Sequence, residues 1–459
     1  MQTQAKPVNQ LFSKNFLNRL IWPLVAEQFL AMTIGACDTV MVSSVGEAGV
    51  SGVSLIDQLG QLVIQLFAAF ATGGAVVASQ YLGHKEQKKA QASAKQLLNL
   101  CVIAGVFFIA ICLPLRRIIL NGIFGALDPQ VMDNALTYFV WILFSFPLLG
   151  IYNSCAALCR AMGNSKISLK VSLIMNLTNI AGNAILIYGA KIGVAGAGIS
   201  TLVSRGIAAV VMLCILSQKK WPLFLEKIWK PQFDFTLMGR ILKIAVPSGI
   251  ENSVFHIGKT LVYSFMSTFG ITVIAANAIT NTVASFSNIP GNAIGLASVT
   301  IVGQCIGAGE KEQAKSYGRK MMLLSYGGMF VTAIVVFGLA PFVTKIFNLT
   351  PQAQNLAVLV IRACMVANIF FWPMSFTMPN ILRGAGDAKY TMIISNISMW
   401  LFRVLGSFLI SKWILRIYPG NTQFAFFGIW IGMFLDWIFR GIMFYMRFCG
   451  KKWLEKKVI

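Results

Sequence analysis

A chain of 459 residues that is 57% hydrophobic and only 12% charged, with a mean hydropathy of +0.72, excludes a soluble globular protein, in which about 25% of residues are usually charged. The formal net charge of +23 would suit a nucleic-acid binder, but Lys and Arg gather in short loops between apolar runs rather than on a basic patch interleaved with aromatics. The charge therefore reads as membrane topology, with lipid as the surrounding medium and no nucleic-acid partner.

Met1 to Asn18 is polar and leads into an apolar run too long for a signal-peptide core, so the first span is expected to be retained. Twelve runs long enough to cross about 30 Å of hydrocarbon follow, at 17–44, 52–80, 94–115, 131–158, 168–189, 194–217, 240–268, 275–303, 319–345, 355–381, 391–415 and 424–447. The expected fold is an all-α integral membrane protein. With the N-terminus in the cytoplasm, 27 of the 38 Lys and Arg fall on the cytoplasmic side and 6 on the opposite side, so both termini are placed in the cytoplasm by the positive-inside bias.

The first span carries two acids, Glu27 and Asp38, in the otherwise apolar run from Trp22 to Gly46. Eleven residues at 100° each come within about 20° of whole turns, so the two share one helix face. A carboxylate near a bilayer centre costs about 2.5 to 3.5 kcal/mol, which makes each a functional candidate facing the bundle interior or water. In the fifth span Asn176, Asn179 and Asn183 form one stripe, suited either to a hard cation or to interhelical hydrogen bonds. The seventh span holds Glu251, His256 and Lys259; His256 is either a proton site or a hydrogen-bonded core histidine, and Lys259 could pair with Glu251 or contact an anionic solute. Asn277 and Asn281, one turn apart in the eighth span, line a cavity or pack helices. Asp57, Arg205 and Arg362 read as structural, Asp436 and Arg440 as mutually neutralising at i and i+4, and Arg403 as an anion contact.

Two apparent motifs dissolve. The segment His256 to Thr260 resembles the end of a phosphate loop, but Ser253 stands where that loop needs Gly, so no ATP site is expected and energy must come from an ion gradient. Nine cysteines, odd in number and without paired CxxC spacing, read as packing residues.

The chain can be laid on itself without a gap: Pro23 falls on Pro247, Glu27 on Glu251, Gly46 on Gly270, Gln80 on Gln304, Gly83 on Gly307 and Ala90 on Ala314. With the offset shortened by a single position, Arg160 to Lys166 falls on Arg383 to Lys389. Each copy holds six spans, and because six is even the two are parallel repeats about an axis along the membrane normal. The expected division is 1–216, an N-terminal six-helix lobe; 217–239, a cytoplasmic amphipathic linker; and 240–459, a C-terminal lobe. Because Pro-x-x-x-Glu occurs in both copies, Glu27 and Glu251 could be kink or interlobe architecture as well as substrate or coupling groups.

DTVMVSSVGEAGVSGVSL after the first span, SQYLGHKEQKKA and GQCIGAGEKEQA after the second and eighth, and RAMGN and RGAGD after the fourth and tenth resemble the multidrug and toxic compound extrusion (MATE) family over nearly the whole chain. That resemblance implies two six-helix lobes in a V-shaped cleft, alternating access, and export of amphipathic, chiefly cationic, organic compounds in exchange for Na⁺ or H⁺, with no cofactor and no catalysed reaction. It implies an ion-coupling site at Asp38, flanked by Asn179 and Asn183, as the place for Na⁺ if Na⁺ is used. Several members carry Asp at the position of Asn183 and some Glu at that of His256. Glu27, Glu251, His256, Lys259, Asn277 and Asn281 are the expected substrate or coupling groups. A monomer in a bacterial cytoplasmic membrane is expected. Two alternatives stand beside this: a flippase for lipid-linked saccharides, which a strongly basic cavity would favour, and an intramembrane acyltransferase, for which no nucleophile accompanies His256.

Overall fold

The computed structural model describes residues 10–226, 232–347, 349–456 and 458–459. The described residues form helices and no strand, one of the two ways a backbone can satisfy its polar groups in hydrocarbon. In chain order the spans are Lys14–Ser43, Glu47–Gly83, Gln87–Phe124, Pro129–Ala161, Ser165–Gly189, Gly193–Leu216 and Phe235–Ser267, then an eighth interrupted at Asn288 (Ile271–Ser287 and Ile289–Gly307). Lys311–Lys345 is the ninth, Pro351–Phe370 continued by Pro373–Thr377 and Met378–Gly384 the tenth, Ala388–Ile417 the eleventh and Thr422–Cys449 the twelfth.

Among the described residues ten helices are long and apolar enough to cross a membrane. Phe235–Ser267, which carries Glu251, His256 and Lys259, falls short of that hydropathy. Several helices outrun the spans expected from hydropathy. Gln87–Phe124 extends by about two turns at each end of 94–115, because its polar ends continue the helix beyond the hydrocarbon.

The duplication is visible in the backbone. Gly46 and Gly270, each just before a helix, have φ of 97° and 99°, and Lys85 and Gly309, one repeat apart, have φ of 62° and 77°. Packing repeats as well, in a crossed sense. The start of the first span (Leu17, Leu20, Leu24) sits in a core built of C-terminal residues such as Ala297, Ile301 and Met321, while the start of the seventh (Leu237, Ile241, Ile244) sits in a core of N-terminal residues such as Val76, Ala94 and Leu97.

The halves meet tightly at one end. A Cβ on Gly83 would lie 2.1 Å from Gln304 O, and one on Gly307 would lie 1.9 Å from Gln80 O, so only glycine allows the two helices this approach. Around this contact Gln80 donates to Gly384 O at 3.2 Å and Gln304 to Ala161 O at 2.7 Å, and His84 Nδ1 lies 3.1 Å from Gly307 O. Every hydrogen bond between the halves among the described residues lies at this end, where Leu11 and Phe12 are tied to Gln313 and Tyr317.

Of the expected linker 217–239, residues 227–231 lie outside the described ones, as do residues 1–9 of the expected polar N-terminal segment. The described part from 217 to 226 forms turns, and Leu223 and Leu225 are buried in the N-terminal core. Gln87 and Gln91 hold it by donating to Pro222 O at 3.1 and 2.9 Å. Pro222 interrupts the helix that the charge pattern alone would allow.

Candidate functional site

Three polar constellations lie inside the bundle, and the repeat helps to separate them. The first is common to both halves. Glu251 is buried, 2.7 Å from Arg383 and 4.0 Å from Arg440, and accepts hydrogen bonds from Ser395 at 2.6 Å and Thr391 at 3.2 Å. One repeat earlier, buried Glu27 accepts from Ser168 at 2.7 Å and lies 3.9 Å from Arg160. Each glutamate thus joins the first span of its half to the Arg after the fourth and to hydroxyls on the fifth. The expected pairing of Lys259 with Glu251 is corrected, since Arg383, on the loop side of the tenth span, occupies that place. At the kink of Pro23, Arg19 O, freed by the proline, accepts a hydrogen bond from Ser165 at 3.2 Å.

The second constellation belongs to the N-terminal half. Asp38, half-buried near the end of the first span, accepts a hydrogen bond from Asn183, whose own Oδ1 is buried without a hydrogen-bond partner. Directly after Asn183 the fifth helix widens into a π-turn over Ala184–Gly189, a distortion that recurs at functional sites. Asp57 on the second span accepts from Tyr138 at 3.3 Å, and Arg205 on the sixth donates to Ser145 at 2.6 Å while lying within electrostatic reach of Asp38, Asp57 and Tyr138. Asn179 turns elsewhere: it donates to Ser200 and Thr201, both at 3.4 Å, so it braces the fifth span on the sixth and does not touch Asp38. Asn176 donates to Ser172 at 3.3 Å.

Asp57 and Arg205 read as structural in the sequence, yet the fold brings both to Asp38. The repeat carries a signal for this: one repeat on, Asp38 meets Val262 and Asp57 meets Asn281, so both acids lack a counterpart. An acid present in one copy alone is poorly explained by shared architecture.

The third constellation fills the C-terminal half. A cavity of about 270 Å³ is walled by Phe255, Trp372, Trp430 and Trp437 and carries Lys259, Asn277, Asn281 and Arg403. Arg403 is not an unpaired anion contact: Asp436 holds it at 2.9 Å, Ser398 donates to the same carboxylate at 2.6 Å, and its guanidinium lies 4.9 Å over the Phe255 ring. The expected pairing of Asp436 with Arg440 within one helix is corrected accordingly. Arg440 faces the other way, donating to Ser375 O at 3.2 Å and stacking 4.7 Å over Phe376. The eleventh helix forms a π-turn over Met399–Gly406, which aims Arg403 inward. A neighbouring cavity of about 250 Å³ is lined by His256, Asn252, Glu251 and Arg440, with Phe255 and Asn292 shared between the two. Among the described residues no group of three or more His, Cys, Asp or Glu gathers as a metal site.

The family model named MatE matches residues 23–185 and again 247–409, the same offset that lays Pro23 on Pro247. The chain is 28% identical over 469 residues to the "Uncharacterized transporter YisQ" of Bacillus subtilis (strain 168), covering 98% of this chain and 97% of that protein. It is 27% identical to a "Probable multidrug resistance protein NorM" of Thermotoga maritima, covering 96% and 94%. Its fold matches the "Crystal structure of MATE in the bent conformation" with a TM-score of 0.85 at 18% identity, over 96% of each chain.

Proposed function

The chain belongs to the MatE family of multi-pass membrane transporters, and on that premise we propose that it is a secondary antiporter exporting amphipathic organic compounds in exchange for Na⁺ or H⁺. The observation that carries the coupling half is the Asp38–Asn183 contact beside Asp57, Tyr138 and Arg205. Two carboxylates stand there against one guanidinium, so the pocket gains from taking up one positive charge. A proton does this at a carboxyl oxygen. Na⁺ would do it with carboxylate oxygens of Asp38 and the unpartnered Oδ1 of Asn183, hard ligands of the required kind. The same excess of negative charge suits organic cations. With both termini in the cytoplasm of a bacterial inner membrane, the Gly83–Gly307 contact closes the cytoplasmic end and leaves the cleft open outward, the state that releases solute and admits the driving ion. The lobes 1–216 and 240–459 then rock about that contact, within a monomer.

The alternative, a flippase for lipid-linked saccharides, draws on the basic wall at Lys259 and Arg403. Asp436 neutralises Arg403, and about 270 Å³ lies just below the range of about 300 to 1,000 Å³ usual for drug-sized ligands, which favours a small organic solute over an oligosaccharide.

Purified protein in proteoliposomes loaded with a fluorescent cationic dye tests the reading. One imposed gradient, Na⁺ or proton, is expected to drive dye movement, and Asp38→Asn to reduce it by about tenfold or more, the factor that about 1.4 kcal/mol of lost ion affinity carries. Undiminished transport by Asp38→Asn would overturn the coupling role, and absence of gradient-driven dye movement in the unaltered protein would overturn the antiport reading.

A further inference from the structure

The cavity of the C-terminal half has a polarity opposite to the Asp38 pocket. Lys259 lines it from the seventh span, and among the described residues it makes no ion pair; the other charged side chain lining this cavity is a cation, Arg403. Arg403 is already neutralised by Asp436, so no carboxylate is left to balance the ammonium. Lys259 is exposed toward the cavity, and an ammonium that no carboxylate balances attracts an anion there.

The rest of the lining says what kind of anion. Asn277 and Asn292 side chains enter no hydrogen bond among the described residues, which leaves amide N–H groups to share an oxyanion with Lys259. Trp372, Trp430 and Trp437 line the same cavity, with Phe255 under the Arg403 guanidinium. Rings of this kind give a flat apolar surface matched to an aromatic body. The repeat shows that this is a local departure: one repeat earlier, Lys259 corresponds to Gly35 and Asn281 to Asp57, so relative to its sister this half has gained a cation and lacks an acid.

We infer that this cavity is a second solute site, selective for small aromatic anions bearing a carboxylate or sulfonate, with Lys259 as the charge that selects them. The inference deepens the exporter reading and rests on it only for the access of solutes to the cavity. Binding is an equilibrium property that can be measured without any gradient.

The probes are a matched pair of nitroaromatics, 4-nitrobenzenesulfonate and 4-nitrophenyltrimethylammonium, titrated against the full-length protein in neutral detergent. Nitroaromatics quench tryptophan on contact, and N-acetyltryptophanamide corrects for absorption. The sulfonate is expected to bind about tenfold more tightly than the ammonium compound. Lys259→Gln should remove that preference, Lys259→Glu should reverse it, and Lys259→Arg should keep it. Lys259 faces open space and makes no ion pair among the described residues, so these variants should melt with the unaltered protein, and Lys259→Arg serves as the folded control. Equal or tighter binding of the ammonium compound by the unaltered protein would overturn the inference, as would sulfonate affinity unmoved in both Lys259→Gln and Lys259→Glu. Asp38→Asn should leave sulfonate binding unchanged. Absence of gradient-driven dye export in the unaltered protein with anion selectivity intact would sink the antiport reading alone, and intact export without anion selectivity would sink this one alone.

Discussion

Two copies of one six-helix unit make this molecule, and their interiors carry opposite charge. In the N-terminal half Asp38 and Asp57 lie in the field of Arg205; in the C-terminal half the corresponding positions are Val262 and Asn281, while Lys259 lines a cavity with Arg403, which Asp436 holds, and Arg440 lines the neighbouring one. What the copies share is different in kind. The Glu–Arg–hydroxyl joint recurs in both, as do the glycines that let the halves touch. The difference teaches that duplication preserved the joints that hold the helices together, and left the remaining inward positions free to diverge in charge. It also gives a way to sort polar residues in a single sequence: a group in both copies serves the scaffold, whereas a group in one copy has to be sorted by its partners, as Asp38 with Asn183 and Asp436 with Arg403 are.

The largest effect expected from this comparison is on stability. Arg403→Met leaves the carboxylate of Asp436 buried and without its cation, and removing one member of such a pair costs about 3 to 5 kcal/mol. A melting curve in detergent should fall sharply, and Arg403→Met with Asp436→Leu should recover much of the loss, since no charge is then stranded. A smaller effect separates the shared joints. Glu251 meets Arg383 at 2.7 Å and two hydroxyls, whereas Glu27 meets Arg160 at 3.9 Å and one, so Glu251→Gln should lower stability by about 2 kcal/mol more than Glu27→Gln does. Equal losses would mean that the two joints are equivalent and that distance in this fold is a poor guide to their strength.

Transport tests the unshared residues of the N-terminal half. Asp57 holds Tyr138 and lies in the field of Arg205 without touching Asn183, so Asp57→Asn should reduce gradient-driven dye movement by about threefold to tenfold, less than Asp38→Asn, through about 1 kcal/mol of weakened cation attraction. An effect as large as that of Asp38→Asn would place Asp57 in direct contact with the ion. No effect would return it to the structural role suggested by the sequence.

Much of this fold is legible in the sequence. Hydropathy and loop charge yield the helices, and the gap-free match from Pro23 to Ala90 yields the repeat. The site is legible only in part. Asp38 and Asn183 stand out because an acid and an amide in apolar helices demand a partner, and each is that partner for the other. Asn179 lies on the same stripe, yet one turn of helix rotates it enough to face Ser200. Pairing across helices is the step that spacing cannot supply. An i, i+4 rule joins Asp436 to Arg440, whereas the π-turn in the eleventh span swings Arg403 into that place, and no periodicity in the sequence announces a π-turn.

The finest test moves a charge from one half to the other. Asn281 occupies the position of Asp57 in the repeat and lines the same cavity as Lys259, so Asn281→Asp restores to the C-terminal half an acid that its sister possesses. Its side chain gives up one hydrogen bond, the 2.9 Å donation to Asn277 O, at about 1 kcal/mol of stability. In return Lys259 gains a carboxylate across the cavity, and the aromatic sulfonate must compete with it. A loss of about threefold in sulfonate affinity is expected, the scale of a partly solvated ion pair, while Asn281→Asp with Lys259→Gln should prefer the ammonium probe. If the double variant still prefers the sulfonate, the polarity of this half resides in Arg403 and Arg440 rather than in Lys259, and the contrast between the halves was built on the eleventh and twelfth spans instead of the seventh.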